Sequence, residues 1–477
     1  MKRNADLAKR ASAVFALCAL STIGSPAQNL TTLFSFNNTD GASPYASLVQ
    51  ATNGDLYGTT HGGGANGAGT VFEISLSGTL STLYSFCAQS ACADGELPYA
   101  PLVQATNGNL YGTTFSGGVS NGGTVFKISQ SGTLTTLYMF CVRSGCADGA
   151  KVTAGLLQAA NGDLYGATEY GGSGRQGTLF QITRGSPLKT LYSFGSHARD
   201  GDGPVGLAQA ANGDFYGTTG AGGTYGFGTI FKIVPGGTPT TLYSFCSQAG
   251  CPDGSYPEAV PVQAANGYLF GTTSFGGAYG AGTVFKVTPT GTLTTLYSFC
   301  AQAGCADGNE PVAGLIQATN GDLYGTTEHG GANGYGSVFK ITPGGALTTV
   351  YSFCSQAGCA DGFLPLAALV QHTNGAIYGT TVLGGAYNNG TIFSLSVGLG
   401  PFVKTLPTAG KSGTTVKILG SELTGATSVT FNGTTAAFQV VSPSLITTTV
   451  PTGATTGTIQ VITPGGTLAS NVTFQVG

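Results

Sequence analysis

Charged residues are scarce in this sequence: Asp, Glu, Lys and Arg make up 8% of 477 residues, against roughly 25% in an ordinary soluble domain. No run of Lys or Arg follows the first ten residues, which excludes a nucleic-acid-binding surface that neutralises phosphates. A disordered chain is excluded because 41% of the residues are hydrophobic and the formal net charge is only -3. The 80 glycines do not recur at every third position, so the chain is not a collagen.

Residues that commonly form chemical sites are also rare. Tryptophan is absent, which weighs against a sugar-binding platform, although the 21 tyrosines can take its place. The glycine-rich stretches are not followed by the Lys-Ser/Thr of a phosphate-binding loop. No Asp-x-Asp-x-Asp spacing supports a calcium loop, and the four histidines form no cluster in the sequence. We therefore expect no cofactor and no metal site.

The first 27 residues have the pattern of an export signal. Four Lys and Arg residues lie within the first ten positions, an apolar run covers residues 11–20, and Ser25-Pro26-Ala27 provides small residues for cleavage. This pattern predicts a signal peptide over residues 1–27 and a location outside the cell or on a bacterial surface. An uncleaved membrane anchor is the alternative, but the run is shorter than the roughly 20 residues that span a bilayer. No later segment qualifies as a transmembrane helix, so we expect none after signal cleavage.

One signature, Asn-Gly-x-Leu-Tyr-Gly-Thr-Thr, recurs seven times with small changes, at spacings of 54, 54, 51, 54, 54 and 54 residues. A Leu-Val-Gln-Ala run precedes each copy, and Gly-Thr-Val-Phe-Lys-Ile and Leu-Thr-Thr-Leu-Tyr-Ser-Phe runs follow it. All four are short, rich in β-branched and aromatic residues and separated by turn residues, which predicts strands. The copies begin at Asn53, Asn107, Asn161, Asn212, Asn266, Asn320 and Asn374.

The turns predict how the four strands of one copy are connected. Asn-Gly between the first two runs predicts a two-residue type I′ hairpin, and Ser77-Gly78 marks a second hairpin between the last two. Each copy is thus a four-stranded antiparallel meander, and seven copies predict an all-β fold, a seven-bladed β-propeller. A β-solenoid is the alternative, but its repeats are usually shorter.

The two ends of the array complete each other. Residues 30–36 form a fourth-type strand without its three predecessors, and residues 391–396 form a third-type strand without its successor. We therefore predict that Thr31–Phe36 pairs with Thr391–Ser396, which removes two exposed edges and closes a propeller spanning residues 28–398.

Ten of the 11 cysteines form five pairs with a constant spacing of five residues, each just after a Tyr-Ser-Phe run. The two copies that lack such a pair lack both members, so the pair behaves as a unit. In an exported chain this predicts local disulfides, with zinc binding as the alternative. The predicted pairs are Cys87/Cys92, Cys141/Cys146, Cys246/Cys251, Cys300/Cys305 and Cys354/Cys359.

Two polar positions repeat in every copy. An Asp followed by Gly is expected to cap a turn before the first strand, with calcium binding as the alternative. A Gln at the end of the first run is expected to satisfy buried backbone groups near the axis, with an amide-lined channel as the alternative. They are Asp40, Asp94, Asp148, Asp200, Asp253, Asp307 and Asp361, and Gln50, Gln104, Gln158, Gln209, Gln263, Gln317 and Gln371.

The sequence changes character after Gly400, where the Asn-Gly and Gly-Gly signals stop and Thr, Val and Pro become frequent. Short alternating strands separated by Gly and Pro over residues 399–477 predict a small immunoglobulin-like β-sandwich. Because this segment contains no Cys, no His and a single acid, Glu422, we expect no chemistry in it.

These motifs resemble two known families. Over about residues 30–396 the repeats resemble the GloVer tandem-repeat family, exported bacterial "choice-of-anchor" proteins whose ends carry differing attachment signals. This sequence ends at residues 474–477 without an apolar tail or basic stop, which departs from that pattern. Residues 413–420 make the tail similar to the IPT/TIG immunoglobulin-like fold, which implies extracellular contacts. A fainter resemblance to streptogramin-lyase propellers implies an enzyme instead.

The candidate ligand face follows from strand order. In an antiparallel meander, the loop leading into each copy and the loop after Thr-Thr lie on the same side. The two residues after Thr-Thr differ between copies, so we take this ring as the candidate ligand face, with simple drift of loop tips as the alternative. The candidate binding residues are His61, Phe115, Glu169, Tyr170, Phe275, Glu328 and His329.

Three of these residues are also candidates for catalysis. Glu169, Glu328 and His329 are of the types that cleave polysaccharides by acid-base chemistry. However, the third and sixth copies lie almost opposite each other in a seven-membered ring, so the two carboxylates are too far apart unless the loops lean inward. We favour a non-catalytic binding or scaffold protein for an extracellular polysaccharide or envelope protein, with a polysaccharide lyase or hydrolase as the alternative.

Overall fold

The computed structural model describes residues 29–183 and 185–477, so the predicted signal peptide and Cys18 lie outside the described residues. Within this part the fold is all-β: 38 strands, labelled β1–β38 in chain order, and four short 3-10 turns. The turns are Ser90–Cys92, Ser144–Cys146, Ala303–Cys305 and Ala357–Cys359. The strands of the repeat region are β1 Asn29–Ser35, β2 Val49–Gln50, β3 Leu56–Thr60, β4 Thr70–Ile74, β5 Leu80–Ser85, β6 Val103–Gln104, β7 Leu110–Thr114, β8 Thr124–Ile128, β9 Leu134–Met139, β10 Leu157–Gln158, β11 Leu164–Thr168, β12 Thr178–Ile182, β13 Lys189–Ser193, β14 Gly201–Gln209, β15 Phe215–Gly222, β16 Thr229–Ile233, β17 Thr240–Ser244, β18 Val262–Gln263, β19 Leu269–Thr273, β20 Thr283–Val287, β21 Leu293–Ser298, β22 Ile316–Gln317, β23 Leu323–Thr327, β24 Ser337–Ile341, β25 Leu347–Ser352, β26 Val370–Gln371, β27 Ile377–Thr381 and β28 Thr391–Ser396.

The repeat region consists of seven four-stranded antiparallel sheets, which we call units 1 to 7. Units 1 to 6 each contain four consecutive strands, from β2–β5 in unit 1 to β22–β25 in unit 6. Unit 7 contains β26, β27 and β28, and its fourth strand is β1 from the start of the described chain. In β1, Thr31 lies opposite Ser394 and Ser35 opposite Thr391, which confirms the predicted pairing of the two ends.

Hydrophobic clusters hold neighbouring units together. The cluster between units 1 and 2 includes Phe86 and Phe126, whose ring centroids are 5.2 Å apart. Equivalent clusters lie between each following pair of units, and one that contains Phe36, Phe72 and Ile392 joins unit 7 to unit 1. Contacts between units therefore run in a complete cycle. Both faces of the middle strands are buried, which explains why these strands lack a clean polar alternation.

The predicted type I′ turn at Asn-Gly is wrong. In unit 1 the strands end at the pair Gln50–Leu56, and Gly54 alone takes a left-handed conformation, with φ of 94°. The Gly54 N–H donates to the Ala51 carbonyl at 3.0 Å, and the Asn53 side chain accepts from the backbone N–H of Asp55. A five-residue connection needs only one left-handed residue, which Gly54 supplies. The second predicted hairpin is confirmed by the Ile74–Leu80 pair and the left-handed Gly78.

All five predicted cysteine pairs are disulfides, and each closes the loop between the last strand of one unit and the first strand of the next. The repeated aspartate holds the same loop, as predicted for a turn cap. In the first of these loops, Asp94 accepts hydrogen bonds from the Tyr84 hydroxyl at 2.8 Å and from the backbone N–H groups of Ala88 and Gln89 at 3.0 and 3.1 Å. The disulfides are Cys87–Cys92, Cys141–Cys146, Cys246–Cys251, Cys300–Cys305 and Cys354–Cys359.

Cys251 differs from the second cysteine of the other four pairs in its local backbone, because it does not end a 3-10 turn. The Cys251 N–H still donates to the Gln248 carbonyl at 3.0 Å. The next residue, however, is Pro252, which has no N–H for the second bond that a 3-10 turn of this length requires. In this loop Asp253 accepts from the Ser247 N–H at 3.1 Å, and its Oδ1 is buried without a partner. The sequence spacing therefore predicted the disulfide of Cys251 correctly, but the five loops are not identical.

The C-terminal region forms two four-stranded sheets and one two-stranded parallel sheet. One hydrophobic core, containing Val416, Ile446 and Phe431, lies between the four-stranded sheets. Its strands are β29 Lys404–Leu406, β30 Ala409–Gly410, β31 Thr415–Leu419, β32 Ser428–Phe431, β33 Thr434–Thr435, β34 Phe438–Ser442, β35 Leu445–Thr449, β36 Ile459–Thr463, β37 Gly466–Ala469 and β38 Gln475–Val476.

Candidate functional site

Two chain segments of each unit meet at one end of its sheet. The first, which we call the leading segment, runs from the repeated Asp to the first strand, and the second follows Thr-Thr. In unit 1 they pair through reciprocal backbone hydrogen bonds between Ala42 and Gly62, and in unit 6 between Asn309 and His329. The predicted grouping of these two loops on one side is therefore confirmed. We call this side the loop end, and the side of the Asn-Gly turns the turn end.

The loop end contains a cavity of about 670 Å³ built by all seven units. The residue five positions after the repeated Asp lines it in every unit, and the first residue after Thr-Thr lines it in five. The first set is Tyr45, Tyr99, Thr153, Val205, Glu258, Val312 and Leu366, and the second is His61, Phe115, Glu169, Gly220 and Glu328. The remaining wall consists of Tyr170, Asp202, Gly203, Pro204 and Ala221.

Five of the seven predicted binding residues therefore share this cavity, and they include two of the three catalytic candidates, Glu169 and Glu328. Units 3 and 6 thus contribute one carboxylate each to the lining of the same cavity. Phe275 and His329 lie outside the lining. Phe275 is 42% exposed and packs its ring edge against Tyr256, and the His329 imidazole lies behind Glu328.

Carboxylates dominate the charge of the cavity, which contains Glu169, Asp202, Glu258 and Glu328. Glu258 lines the cavity as an exposed residue. Partial desolvation by the surrounding protein raises the pKa of its carboxyl; the Ser274 hydroxyl opposes the shift, and the Glu328 and Glu310 carboxylates add to it. Burial also raises the pKa of Glu328, which His329 lowers and Glu310 raises. The charged forms of Glu258 and Glu328 are therefore less favourable in this cavity than in water.

Aromatic rings form another part of the cavity lining. The Tyr45 and Tyr99 rings are stacked with centroids 5.0 Å apart, and the His61 ring lies 5.3 Å from Tyr45 and 5.9 Å from Tyr99. Burial raises the pKa of Tyr99 to about 12, with smaller contributions from Tyr45 and from Glu258, Glu169 and Glu328. Burial lowers the pKa of His61, which disfavours the charged form of this imidazole. Tyrosine rings and carboxylates therefore face the same space.

Lys151 is the cation next to this wall. Its ammonium lies 4.8 Å from the centre of the Phe115 ring and donates to the Ser116 hydroxyl at 2.8 Å. Lys151 is not part of the lining, which contains no Lys or Arg among the residues that the structure describes.

One group of side chains has the composition of a metal site. Potential ligand atoms of Glu310, Glu328 and His329 lie within 4.8 Å of one another, and His329 Nε2 is 3.9 Å from Glu310 Oε2 and 3.6 Å from Glu328 Oε1. A carboxylate-rich group with one imidazole suits a divalent cation. The sequence prediction named no metal, and it stays a prediction. The only other such group within the described ranges contains the disulfide-bonded Cys87 and Cys92.

The sequence analysis missed the leading-segment residues of the cavity, above all Tyr45, Tyr99, Glu258 and Asp202. A signal for them exists, since the position after Pro44, Pro98 and Pro257 varies between copies. That position differs in the same way as the residues after Thr-Thr. If variation between copies had been examined in the leading segment as well as after Thr-Thr, both sets of cavity residues would have been identified.

The turn end is uniform where the loop end varies. In every unit the Gln side chain accepts a hydrogen bond from a backbone N–H in the turn of the neighbouring unit, at 2.9–3.1 Å. The last of these bonds joins Gln50 of unit 1 to Thr373 of unit 7. This confirms that the glutamines satisfy backbone groups, and it repeats the cyclic order of the hydrophobic clusters.

The C-terminal region docks on the turn end. Lys417 Nζ donates to the Thr106 carbonyl at 2.9 Å, and the Ser444 hydroxyl donates to the Thr52 carbonyl at 3.2 Å. Lys404 donates to the Gln371 carbonyl, and burial of its ammonium lowers the pKa of Lys404 to about 8. Units 1, 2 and 7 are thus contacted at the end opposite the cavity, which leaves the loop end accessible.

A second, shallower depression of about 500 Å³ lies beside unit 4 and includes Arg199, Asp200, Tyr225 and Tyr243. It lies at the loop that lacks a disulfide and is wide open to solvent. Unit 4 and the loops on either side of it build this depression, whereas all seven units build the cavity. We therefore take the cavity as the candidate site.

Together these features define an all-β tandem-repeat protein with a variable cavity at one end of its sheets. Its sequence matches the Gloeobacter/Verrucomicrobia repeat family over residues 20–158, 92–259, 142–305 and 247–440. The chain belongs to this family. No curated protein matches the sequence.

Solved structures with a similar fold include two crystal structures of the extracellular domain of a signalling protein from Bacteroides thetaiotaomicron. One has a TM-score of 0.53 and 9% identity, and covers 83% of this chain and 46% of the other. The second has a TM-score of 0.52 and 11% identity, and covers 93% of this chain and 52% of the other. The chain thus spans about half the length of these structures, and at such identities the likeness concerns the fold alone. A puromycin hydrolase is similar at a TM-score of 0.46 and 12% identity, over 80% of this chain and 59% of the other, which is too weak to support an inference.

Among the described residues, no helix has the length and apolar character required to cross a membrane.

Proposed function

We propose that this chain is an exported, non-catalytic binding protein that holds an extracellular glycan in the cavity at its loop end. In this proposal residues 1–27 are a signal peptide, residues 28–398 form a seven-bladed β-propeller, and residues 399–477 form an IPT/TIG-like β-sandwich. The cyclic hydrophobic clusters, the ring of Gln hydrogen bonds and the pairing of β1 with β28 support the propeller. The five disulfides support an oxidising compartment outside the cytoplasm.

The observation on which the function rests is the convergence of variable residues from all seven units on one cavity. A constant scaffold that presents differing side chains in one enclosed space is the usual design of a ligand-binding loop surface. Equivalent positions of the repeat meet at one end whatever residues they carry, so it is the chemistry of the lining, with stacked tyrosines and four carboxylates in one cavity, that favours binding over drift.

A glycan suits this wall better than a protein surface does. Sugar rings stack on tyrosine faces, and their hydroxyls donate hydrogen bonds to carboxylates, so Tyr45, Tyr99, Glu169 and Glu258 provide both contacts. The cavity of about 670 Å³ has the size of a small-molecule site. A stable protein partner usually covers roughly 800 Å² of surface on each side, which favours a flat face over an enclosed cavity.

The test is isothermal titration calorimetry of the secreted chain with oligosaccharides of differing composition. Tyr99→Ala removes one half of the stacked pair and is expected to weaken binding about tenfold. Tyr279→Ala is the matched control, because Tyr279 is 59% exposed and lies outside the cavity. Absence of binding to every glycan, or equal loss in both variants, would contradict the proposal. Capture of an envelope protein that tolerates Tyr99→Ala would point to a protein partner instead.

The raised pKa values of Glu258 and Glu328 favour one second candidate, a polysaccharide-degrading enzyme. A carboxyl whose pKa is raised by burial can act as a general acid, and Glu169 supplies a further carboxylate in the same cavity. Turnover of a polysaccharide that Glu328→Gln abolishes would support this function. Binding of the same polysaccharide without release of products supports the binding protein.

A further inference from the structure

The cavity contains more carboxylates than binding of a neutral glycan would require. Four carboxylates line it, while the described residues of the lining contribute no Lys or Arg. Glu310 adds a fifth carboxylate behind Glu328. Neutral sugars need acceptors and donors in similar number, whereas this wall offers mainly acceptors. An unbalanced set of acceptors favours a ligand that carries positive charge.

The nearby basic groups do not balance these acids. Lys151 is engaged with the Phe115 ring and the Ser116 hydroxyl, outside the lining. His329 faces Glu310 and Glu328 and has a side chain that is 44% exposed. His61 faces Tyr45 and Tyr99, and burial lowers the pKa of its imidazole, which disfavours the charged form. Glu169, Asp202 and Glu258 therefore have no basic partner among the lining residues.

The aromatic part of the wall suits the same class of ligand. Tyrosine rings attract cations through their faces, and the attraction is stronger in a partly enclosed site than in open water. The described residues already make this kind of contact in several places: Lys286 lies 5.6 Å from the centre of the Tyr268 ring, and beside the cavity Lys151 lies 4.8 Å from the centre of the Phe115 ring. The stacked rings of Tyr45 and Tyr99 line the cavity without such a cation.

We propose that the cavity binds a ligand with a protonated amino group, held between its carboxylates and the Tyr45–Tyr99 pair. This inference rests on the proposed glycan-binding function and narrows it: the glycan contains amino sugars whose amino groups are free. The ammonium donates to carboxylate oxygens and lies against the tyrosine rings, while the sugar ring fills the remaining space.

The experiment compares two oligosaccharides that differ only in charge. Six-residue oligomers of glucosamine and of N-acetylglucosamine are titrated into the secreted chain at about pH 6, where free amino groups are mostly protonated. We expect at least about tenfold tighter binding of the glucosamine oligomer and a smaller preference as salt is raised. The double variant Glu258→Gln/Glu328→Gln should remove the preference. Glu422→Gln is the matched control, since this exposed carboxylate lies in the C-terminal region and should leave the preference unchanged.

Three results would overturn the inference, and they differ from failure of the proposed function. Equal binding of both oligomers, or loss of the preference in Glu422→Gln, would show that cavity charge does not select the ligand while glycan binding stands. Binding of Ca²⁺ or Zn²⁺ alone that Glu328→Gln abolishes, with glycan binding that requires this metal, would assign the carboxylates to a metal ion. Failure of all glycans to bind would reject the proposed function itself.

Discussion

The two ends of the repeat sheets differ in what the same strands present. At the turn end, seven glutamines make seven equivalent hydrogen bonds to neighbouring units. At the loop end, positions with the same backbone environment carry Tyr, Thr, Val, Glu or Leu. The difference separates two sets of side chains: those that repeat join the units to each other, and those that vary line the cavity.

The strongest test of this division removes a repeated side chain. Phe36 joins unit 7 to unit 1, and Phe86 occupies the equivalent position between units 1 and 2; both are 0% exposed. Phe36→Ala and Phe86→Ala should each lower the free energy of unfolding by about 3–5 kcal/mol, measured by urea titration. A much smaller cost for Phe36→Ala than for Phe86→Ala would mean that the cycle of contacts is open at units 7 and 1.

A medium effect is expected at the glutamine ring. Gln104 accepts from the buried Thr52 N–H at 2.9 Å, so Gln104→Ala leaves this donor unpaired and should cost about 1–3 kcal/mol of unfolding free energy. Gln158→Ala is the control, because its partner Thr106 N–H lies in an exposed turn where water can replace the side chain. Equal costs for the two variants would show that burial of the donor does not set the size of the effect.

The smallest effect on stability, and one of opposite sign, is expected in the cavity. The pKa of Glu258 is raised in the folded protein, so the charged carboxylate disfavours the folded state at neutral pH. Glu258→Gln should therefore slightly raise the melting temperature at pH 7. This advantage should shrink as the pH falls below the raised pKa and vanish below the ordinary pKa of a glutamate, where Glu258 is uncharged in both the folded and the unfolded chain. Melting temperatures across this pH range provide the check, and a lower melting temperature at pH 7 would contradict the prediction.

Most strands of the repeat region could be predicted from the sequence because the same motifs recur in seven copies. The periodic Asn-Gly and Tyr-Ser-Phe runs predicted the strands, and the incomplete ends at residues 30–36 and 391–396 predicted their pairing. The turn type was wrong because Asn-Gly alone does not reveal where the strand pair ends. That register depends on contacts at Gln50 and Leu56.

The cysteine spacing predicted all five disulfides, but it did not predict the backbone around them. The loop that ends at Cys251 has the same spacing as the others and yet lacks their 3-10 turn. The cause is a single neighbouring residue, Pro252, where the other four loops carry Ala. A repeat therefore predicts a bond that its spacing defines, whereas the local conformation depends on each copy's own residues.

The candidate site was only partly predictable, for a geometric reason. The residues after Thr-Thr were recognised because they interrupt a repeated motif, whereas Tyr45 and Glu258 lie in a leading segment that varies at several positions, so they do not stand out. Whether Glu169 and Glu328 border the same cavity depends on the arrangement of units distant in sequence, which no local pattern encodes. Phe275 was selected by the same rule as Phe115, yet its ring turns toward Tyr256 and away from the cavity.

Because each unit contributes separately to the cavity, its lining can change one unit at a time. Each unit contributes its own few side chains to the cavity and connects to its neighbours through an unvarying interface of Phe and Gln. Recombination that exchanges one whole copy of the repeat for another would therefore alter a single sector of the cavity and preserve the contacts between neighbouring units. The lining of the cavity can change in this way without compensating changes in the hydrophobic core.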